Sequence, residues 1–133
     1  MFPGRRIGIA IACLALAVSA SMFAPTPAFA TDPFDADVLT QDEGAYAWVY
    51  YDGGSQFRFE VCDFAPDGHH ARGTLTLNFD SKPPVSLHLR EYDGYDDCEK
   101  KSISRSGVLS ITLWAANYEG STKLSESTLW IPL

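Results

Sequence analysis

Apolar and polar side chains alternate with a period of two residues along most of this sequence, and this alternation restricts the fold more than any other feature. In "QFRFEVCD" (56–63), Phe57, Phe59 and Val61 fall on one face of the chain and the polar side chains fall on the other. The stretch "HARGTLTLNF" (70–79) repeats the pattern, and Gly, Pro and Asp separate the runs. Such runs are typical of antiparallel strands, and no stretch has a convincing helical period.

The first 30 residues have the order of a secretory signal peptide. Two arginines precede an apolar run, and the small residues Ala28 and Ala30 stand before Thr31. The run is short for a membrane span, which needs about 20 apolar residues, and Cys13 lies inside it rather than at the start of the mature chain. We therefore expect cleavage after Ala30, secretion to the extracellular space, and no stable membrane anchoring.

Cleavage would leave 103 residues, enough for one small domain with one core. We expect residues 31–44 to form an acidic flexible arm and residues 45–133 to form the domain. About six strands of this kind predict an all-β fold, a small antiparallel β-sandwich or a small barrel.

The mature chain would be strongly acidic. It keeps eight of the ten basic side chains against all seventeen acidic ones, a net charge of −9. Without a basic stripe to neutralise phosphates, we expect no nucleic acid as a partner.

Two cysteines, Cys62 and Cys98, remain after cleavage. An even pair in a small exported domain indicates a disulfide. Hairpins at "DFAPDGHH" and "DSKPP" would place Cys62 one strand away from a polar loop at 93–107, so we expect the bond to fix this loop on the outer face of the sheet. The alternative, a Cys62 thiolate assisted by His69 or His70, leaves Cys98 unexplained.

The sequence contains one weak candidate for a metal-binding site. His69 and His70 are adjacent and would point to opposite faces of a strand, so they cannot share a zinc ion. Asp93, Asp96, Asp97 and Glu99 crowd one acidic stretch, "DGYDDCE", and carboxylates on irregular backbone suit Ca²⁺, with Asp93, Asp96 and Asp97 as the candidate ligands. The spacing is not that of an EF-hand, and we expect no other cofactor.

Trp48, Trp114 and Trp130 are the candidate ligand-facing aromatic residues. Trp114 and Trp130 fall opposite the aliphatic face of their strands, and Trp48 shares a face with Tyr46 and Tyr50. Exposed aromatic rings commonly mark binding surfaces. The alternative is that these rings cover a second sheet or the 93–107 loop. No G-x-S-x-G elbow or distinctive acid pair is present, so we predict no catalytic residues and no enzymatic activity.

The stretch "FEVCDFAPDGHHARGTL" resembles a pattern in small secreted single-domain β proteins of streptomycetes and related actinobacteria. The likeness spans most of residues 45–120 and implies a secreted β domain of uncharacterised function, with no catalytic residues to transfer. Amylase inhibitors from such bacteria carry a "WRY" loop and two disulfides, which this chain lacks.

These observations lead to one main hypothesis and two alternatives. The main hypothesis is a secreted, non-catalytic interaction module for an extracellular protein or polysaccharide. The first alternative is a proteinaceous inhibitor of an extracellular hydrolase that acts through the 93–107 loop, and the second is a small extracellular enzyme.

Overall fold

The computed structural model describes residues 32–66 and 68–133. The expected signal peptide, residues 1–30, lies outside these residues. Within them, the chain is all-β, and no helix is long and apolar enough to cross a membrane. The strands are β1 (Phe34–Leu39), β2 (Ala45–Tyr51), β3 (Gln56–Asp63), β4 (His70–Asn78), β5 (Val85–Glu91), β6 (Asp97–Ser104), β7 (Ser110–Glu119) and β8 (Thr122–Pro132).

The strands form two four-stranded antiparallel sheets, which confirms the predicted sandwich. The first sheet has the order β1-β2-β3-β6 and the second has the order β5-β4-β7-β8. We call them the β2–β3 sheet and the β4–β7 sheet after their central strands. The inward-facing rows of both sheets supply a shared core. The core side chains include Val49, Tyr51, Phe57, Phe59, Val61, Leu75, Leu77, Ile111 and Leu113.

Two edge strands account for the difference between the six strands predicted and the eight observed. Residues 34–39, which the sequence assigned to a flexible arm, form β1 and pair with β2 along its whole length. Val38 is buried in the core, while Asp35 and Asp37 point outward. The period-two pattern of the inward-facing Phe34, Ala36 and Val38 was not recognised, because Asp35 and Asp37 make the stretch acidic.

The predicted polar loop at 93–107 is also wrong, because residues 97–104 form β6. This strand pairs with β3 along its length, although Ile103 is its only apolar side chain packed against the core. An edge strand at the open side of a sandwich needs few apolar residues, since its backbone hydrogen bonds and one neighbour hold it in place.

The expected hairpin between β3 and β4 is absent from the described part of the chain. These strands belong to different sheets, so residues 64–69 carry the chain from one layer to the other. Cys62 therefore lies opposite Tyr46 and Cys98 rather than near Ala71, which pairs with Glu91 and Asn117.

The disulfide between Cys62 and Cys98 is confirmed, but it has a different structural role from the one expected. The two residues are direct partners in the β3–β6 ladder, with their Cα atoms 4.1 Å apart. The bond joins two neighbouring strands of one sheet and does not fix a loop. It also excludes Cys62 as a thiolate nucleophile.

Gly73 on β4 lies where the two sheets approach each other closely. A Cβ atom at this position would overlap Cγ2 of Val61 and lie 3.2 Å from Cζ of Phe59. We expect Gly73→Ala to lower the free energy of unfolding by about 1–3 kcal/mol through overpacking, as measured by urea denaturation. The matched control is Gly54→Ala, whose new Cβ would come no closer than 3.5 Å to a neighbouring side chain. An unchanged midpoint for Gly73→Ala would contradict this packing.

Candidate functional site

The three candidate tryptophans lie on opposite sides of the sandwich. Trp48 is on the outer face of the β2–β3 sheet, where it pairs with Asp37 and Glu60. Trp114 and Trp130 are on the outer face of the β4–β7 sheet. The three rings therefore cannot form one patch, and the two faces have to be considered separately.

Trp114 and Trp130 are diagonal neighbours across β7 and β8. Trp114 lies opposite Thr128, and Trp130 lies opposite Thr112; such diagonal positions are about 7–8 Å apart, within reach of aromatic side chains. Trp130 is 61% exposed. The sequence thus placed both rings on the outer face correctly. They are two neighbouring aromatic residues on the surface of one sheet.

The Trp114 ring is held in place by a charged network. Its Nε1–H donates a hydrogen bond of 2.8 Å to Oε2 of Glu126, and Nζ of Lys123 lies 2.7 Å from the same oxygen. Hydrogen bonds from Lys123 and then Trp114 lower the pKa of Glu126. The carboxylate stays ionised and orients the indole, so one aromatic group is already positioned before any ligand arrives.

Threonine and serine hydroxyl groups lie on the outer face between these aromatic rings and the edge strand β5. Oγ1 of Thr74 lies 3.0 Å from Nδ1 of His88, and Oγ1 of Thr76 lies 3.0 Å from Oγ of Ser86. Thr112 continues the Thr76 row onto β7. The sheet surface therefore offers hydrogen-bonding groups that a polar ligand could use.

One arginine on β4 and one on β5 lie next to each other on the same outer face. Arg72 and Arg90 are direct cross-strand partners. Arg72 lies over the Tyr118 ring, 4.0 Å from its centroid, and its Nε donates to Nε2 of His70 at 3.0 Å. Arg90 donates to the Tyr92 hydroxyl at 3.2 Å. Neither guanidinium forms an ion pair within residues 32–66 and 68–133.

The neutral ring of His70 helps to hold Arg72 in place. It packs between Tyr92 and Tyr118, with centroids 4.8 and 5.7 Å away. Burial lowers the pKa of His70, and the adjacent Arg72 and Arg90 lower it further. The neutral imidazole can accept the hydrogen bond from Arg72. Two like charges directly opposite each other destabilise a sheet, so this site would gain from an added anion.

The outer face of the β2–β3 sheet carries Trp48 in a different setting. Its cations are already engaged: Nζ of Lys100 lies 3.5 Å from Oε2 of Glu60, and Arg58 lies over the Tyr50 ring at 5.7 Å. The Trp48 and Tyr50 rings are 6.4 Å apart. Aromatic rings and cations thus occur here too, but Lys100 has a carboxylate partner and Arg58 pairs with Tyr50 and Ser102, whereas Arg72 and Arg90 of the opposite face are direct cross-strand partners.

The predicted calcium candidates are only partly brought together. Asp93 lies with Glu91 and Glu99, and one carboxylate oxygen from each falls within 4.8 Å of the others. Asp97 instead accepts a hydrogen bond from the backbone N–H of Cys98, and Asp96 occupies a turn with φ 64°. Neither belongs to the cluster.

Glu91 is the member of this cluster that sequence reasoning missed. It ends the β5 row that contains Leu87 and Leu89, so strict alternation already pointed it inward. Glu99 was counted among the acidic residues of the stretch, but it was placed in a loop and lies on β6. Burial raises the pKa of Glu91, and neighbouring carboxylates, Asp97 and Asp93 foremost, raise it further, against the hydrogen bond from Asp93 N–H.

Comparison with known proteins adds no relative. The chain matches no family model, no curated protein and no solved structure.

Proposed function

We propose that this protein is a secreted, non-catalytic module that binds an acidic polysaccharide on the outer face of the β4–β7 sheet. The observation that carries the proposal is that Trp114, Trp130 and the Arg72–Arg90 pair share one sheet surface, with Trp114 diagonal to Arg72 across β4 and β7. Neither guanidinium has an ion-pair partner among the described residues. The signal-peptide pattern of the sequence supports secretion, and a disulfide is compatible with an oxidising compartment.

The surface chemistry suits a sugar chain. The C–H faces of pyranose rings pack against aromatic rings, whose faces carry partial negative charge. Trp130 is free to make such a contact, and Trp114 is preoriented by Glu126. The intervening Thr74 and Thr112 hydroxyls can bond to sugar hydroxyls.

Arg72 and Arg90 favour an acidic sugar over a neutral one. Guanidinium groups recognise carboxylate, sulfate or phosphate groups through paired hydrogen bonds. The net negative charge of the protein opposes such a ligand only weakly, because charges more than about 8 Å away are largely screened at physiological ionic strength. The local charge around the arginines therefore determines the interaction.

The other hypotheses have less support. The inhibitor hypothesis depended on a long loop at 93–107, most of which is strand β6. A small enzyme would need a reacting group in a cleft, and the residues that carry the proposal lie on the outer face of a sheet. A protein ligand for the same face would not require the hydroxyl rows.

We expect the protein to bind a uronate polymer such as polygalacturonate more tightly than a neutral glucan, with an affinity that falls as salt rises. Replacing Trp114 and Trp130 with alanine should weaken binding roughly 30-fold, the loss expected for a binding hot spot. Arg72→Gln combined with Arg90→Gln should remove the preference for the acidic polymer and its salt dependence. Isothermal titration calorimetry and affinity electrophoresis measure both effects.

The matched control is Trp48→Ala, because Trp48 lies on the opposite sheet. Its binding should equal that of the unmodified protein. If the protein binds neither the acidic nor the neutral polysaccharide, the proposal is refuted. Loss of binding in Trp48→Ala, with the double tryptophan variant unaffected, would move the site to the β2–β3 sheet.

A further inference from the structure

A buried carboxylate lies where the two sheets meet beside the β5 and β6 edges. Glu91, the last residue of β5, is fully buried, and its side chain follows the inward row of Leu87 and Leu89. One of its oxygens, Oε1, accepts the N–H of Asp93. The other, Oε2, is buried and has no hydrogen-bond partner. A buried polar atom of this kind is rare, since leaving it unsatisfied costs about 1–3 kcal/mol.

Two further carboxylates converge on Glu91 from different elements. Asp93 follows β5 in the chain, and Glu99 comes from β6 of the opposite sheet. Glu99 pairs with Val61, a core residue, so it points toward the same interior side as Glu91. In the described part of the chain, none of the three carboxylates has a lysine or arginine within ion-pair distance. Three anionic groups thus share one corner without a counter-charge.

The spacing of these oxygens fits a calcium ion. Ca²⁺ binds oxygen ligands at about 2.3–2.6 Å, so two of its ligands can be up to about 5 Å apart. The three carboxylate oxygens lie within 4.8 Å of one another. Mg²⁺ binds at about 2.0–2.1 Å, demands near-ideal octahedral geometry and gives up its water reluctantly, so a site made only of protein carboxylates favours Ca²⁺.

We propose that Glu91, Asp93 and Glu99 bind a Ca²⁺ ion that links β5 to β6. The ion would supply the partner that Oε2 of Glu91 lacks and would neutralise the convergent charges. Because β5 and β6 belong to different sheets, the ion would also link the two sheets on one side of the sandwich. On β6 its ligand Glu99 directly follows Cys98, which is bonded to Cys62 of β3. This site is independent of the polysaccharide-binding face.

The test is a thermal melt of the purified protein in EDTA and in increasing CaCl₂, together with calorimetric titration of Ca²⁺. Extracellular calcium modules have Kd values of roughly 0.1–1 mM. At a hundredfold excess over Kd we expect the melting temperature to rise by about 10 °C. Glu99→Gln and Asp93→Asn, which change exposed side chains and should leave the fold intact, should each weaken Ca²⁺ binding roughly tenfold or more.

Glu119→Gln is the matched control, since Glu119 is an exposed carboxylate outside the cluster that faces His69. It should bind Ca²⁺ like the unmodified protein. The proposal is overturned if the unmodified protein shows neither heat of binding nor a melting shift at 10 mM Ca²⁺. It is equally overturned if the shift persists in full in both Glu99→Gln and Asp93→Asn, because the ion would then bind elsewhere.

Discussion

Replacing Cys62 and Cys98 together with alanine lowers the free energy of unfolding by about 3–4 kcal/mol, according to the chain-entropy estimate for the loop that they close. The two residues are 36 positions apart, and the bond restricts the unfolded chain over that length. In the folded state they are already direct partners in the β3–β6 ladder. Their loss should therefore weaken the attachment of an edge strand that has little apolar surface of its own.

Urea denaturation of the oxidised protein and of the double variant measures this difference. The melting temperature should fall by roughly 12 °C or more. Dithiothreitol provides the control: it should lower the stability of the unmodified protein to that of the variant and leave the variant unchanged. A double variant as stable as the oxidised protein would refute a stabilising role for the bond.

The second large effect is expected for Phe59→Ala. Phe59 lies on β3, one of the two central strands of its sheet, and is 1% exposed. Its Cζ atom reaches the space beside Gly73 on the opposite sheet, so the ring fills the gap between the two layers. Truncation of such a side chain typically costs about 3–5 kcal/mol, from lost burial and from the cavity that remains. For a domain with a stability of about 5–15 kcal/mol, this is a large fraction of the total.

Phe64→Ala is the matched control, because Phe64 is 39% exposed and stacks on Tyr46, near the start of β2. It should cost no more than about 1 kcal/mol, the value of an aromatic pair. If Phe59→Ala prevents folding, Phe59→Leu supplies the measurement, with a smaller loss in the same direction. Equal effects at the two positions would contradict the placement of the core.

The charge distribution of the candidate face illustrates the limit of reading function from composition. The acidic excess predicts solubility and argues against nucleic acid. It gives no sign that Arg72 and Arg90 stand side by side, because they are 18 positions apart in the sequence and become neighbours only through the β4–β5 register. The site that we propose depends on that register.

The sequence by itself determined which side chains share a face, because the period of two residues is a local property of extended backbone. It placed Phe57, Phe59 and Val61 inside, turned Trp114 and Trp130 outward, and paired Cys62 with Cys98. These conclusions need only the alternation along one strand or the presence of two cysteines in an exported chain.

Only the tertiary structure decided which strands are neighbours. A turn such as the one after β3 can return the chain to the same sheet or carry it to the opposite one, and its local residues do not distinguish the two paths. That choice separated β3 from β4, made residues 97–104 a strand, and brought Glu99 to Glu91. The physical reason is that strand pairing and layer packing are non-local: they are set by how all the apolar rows can be buried together.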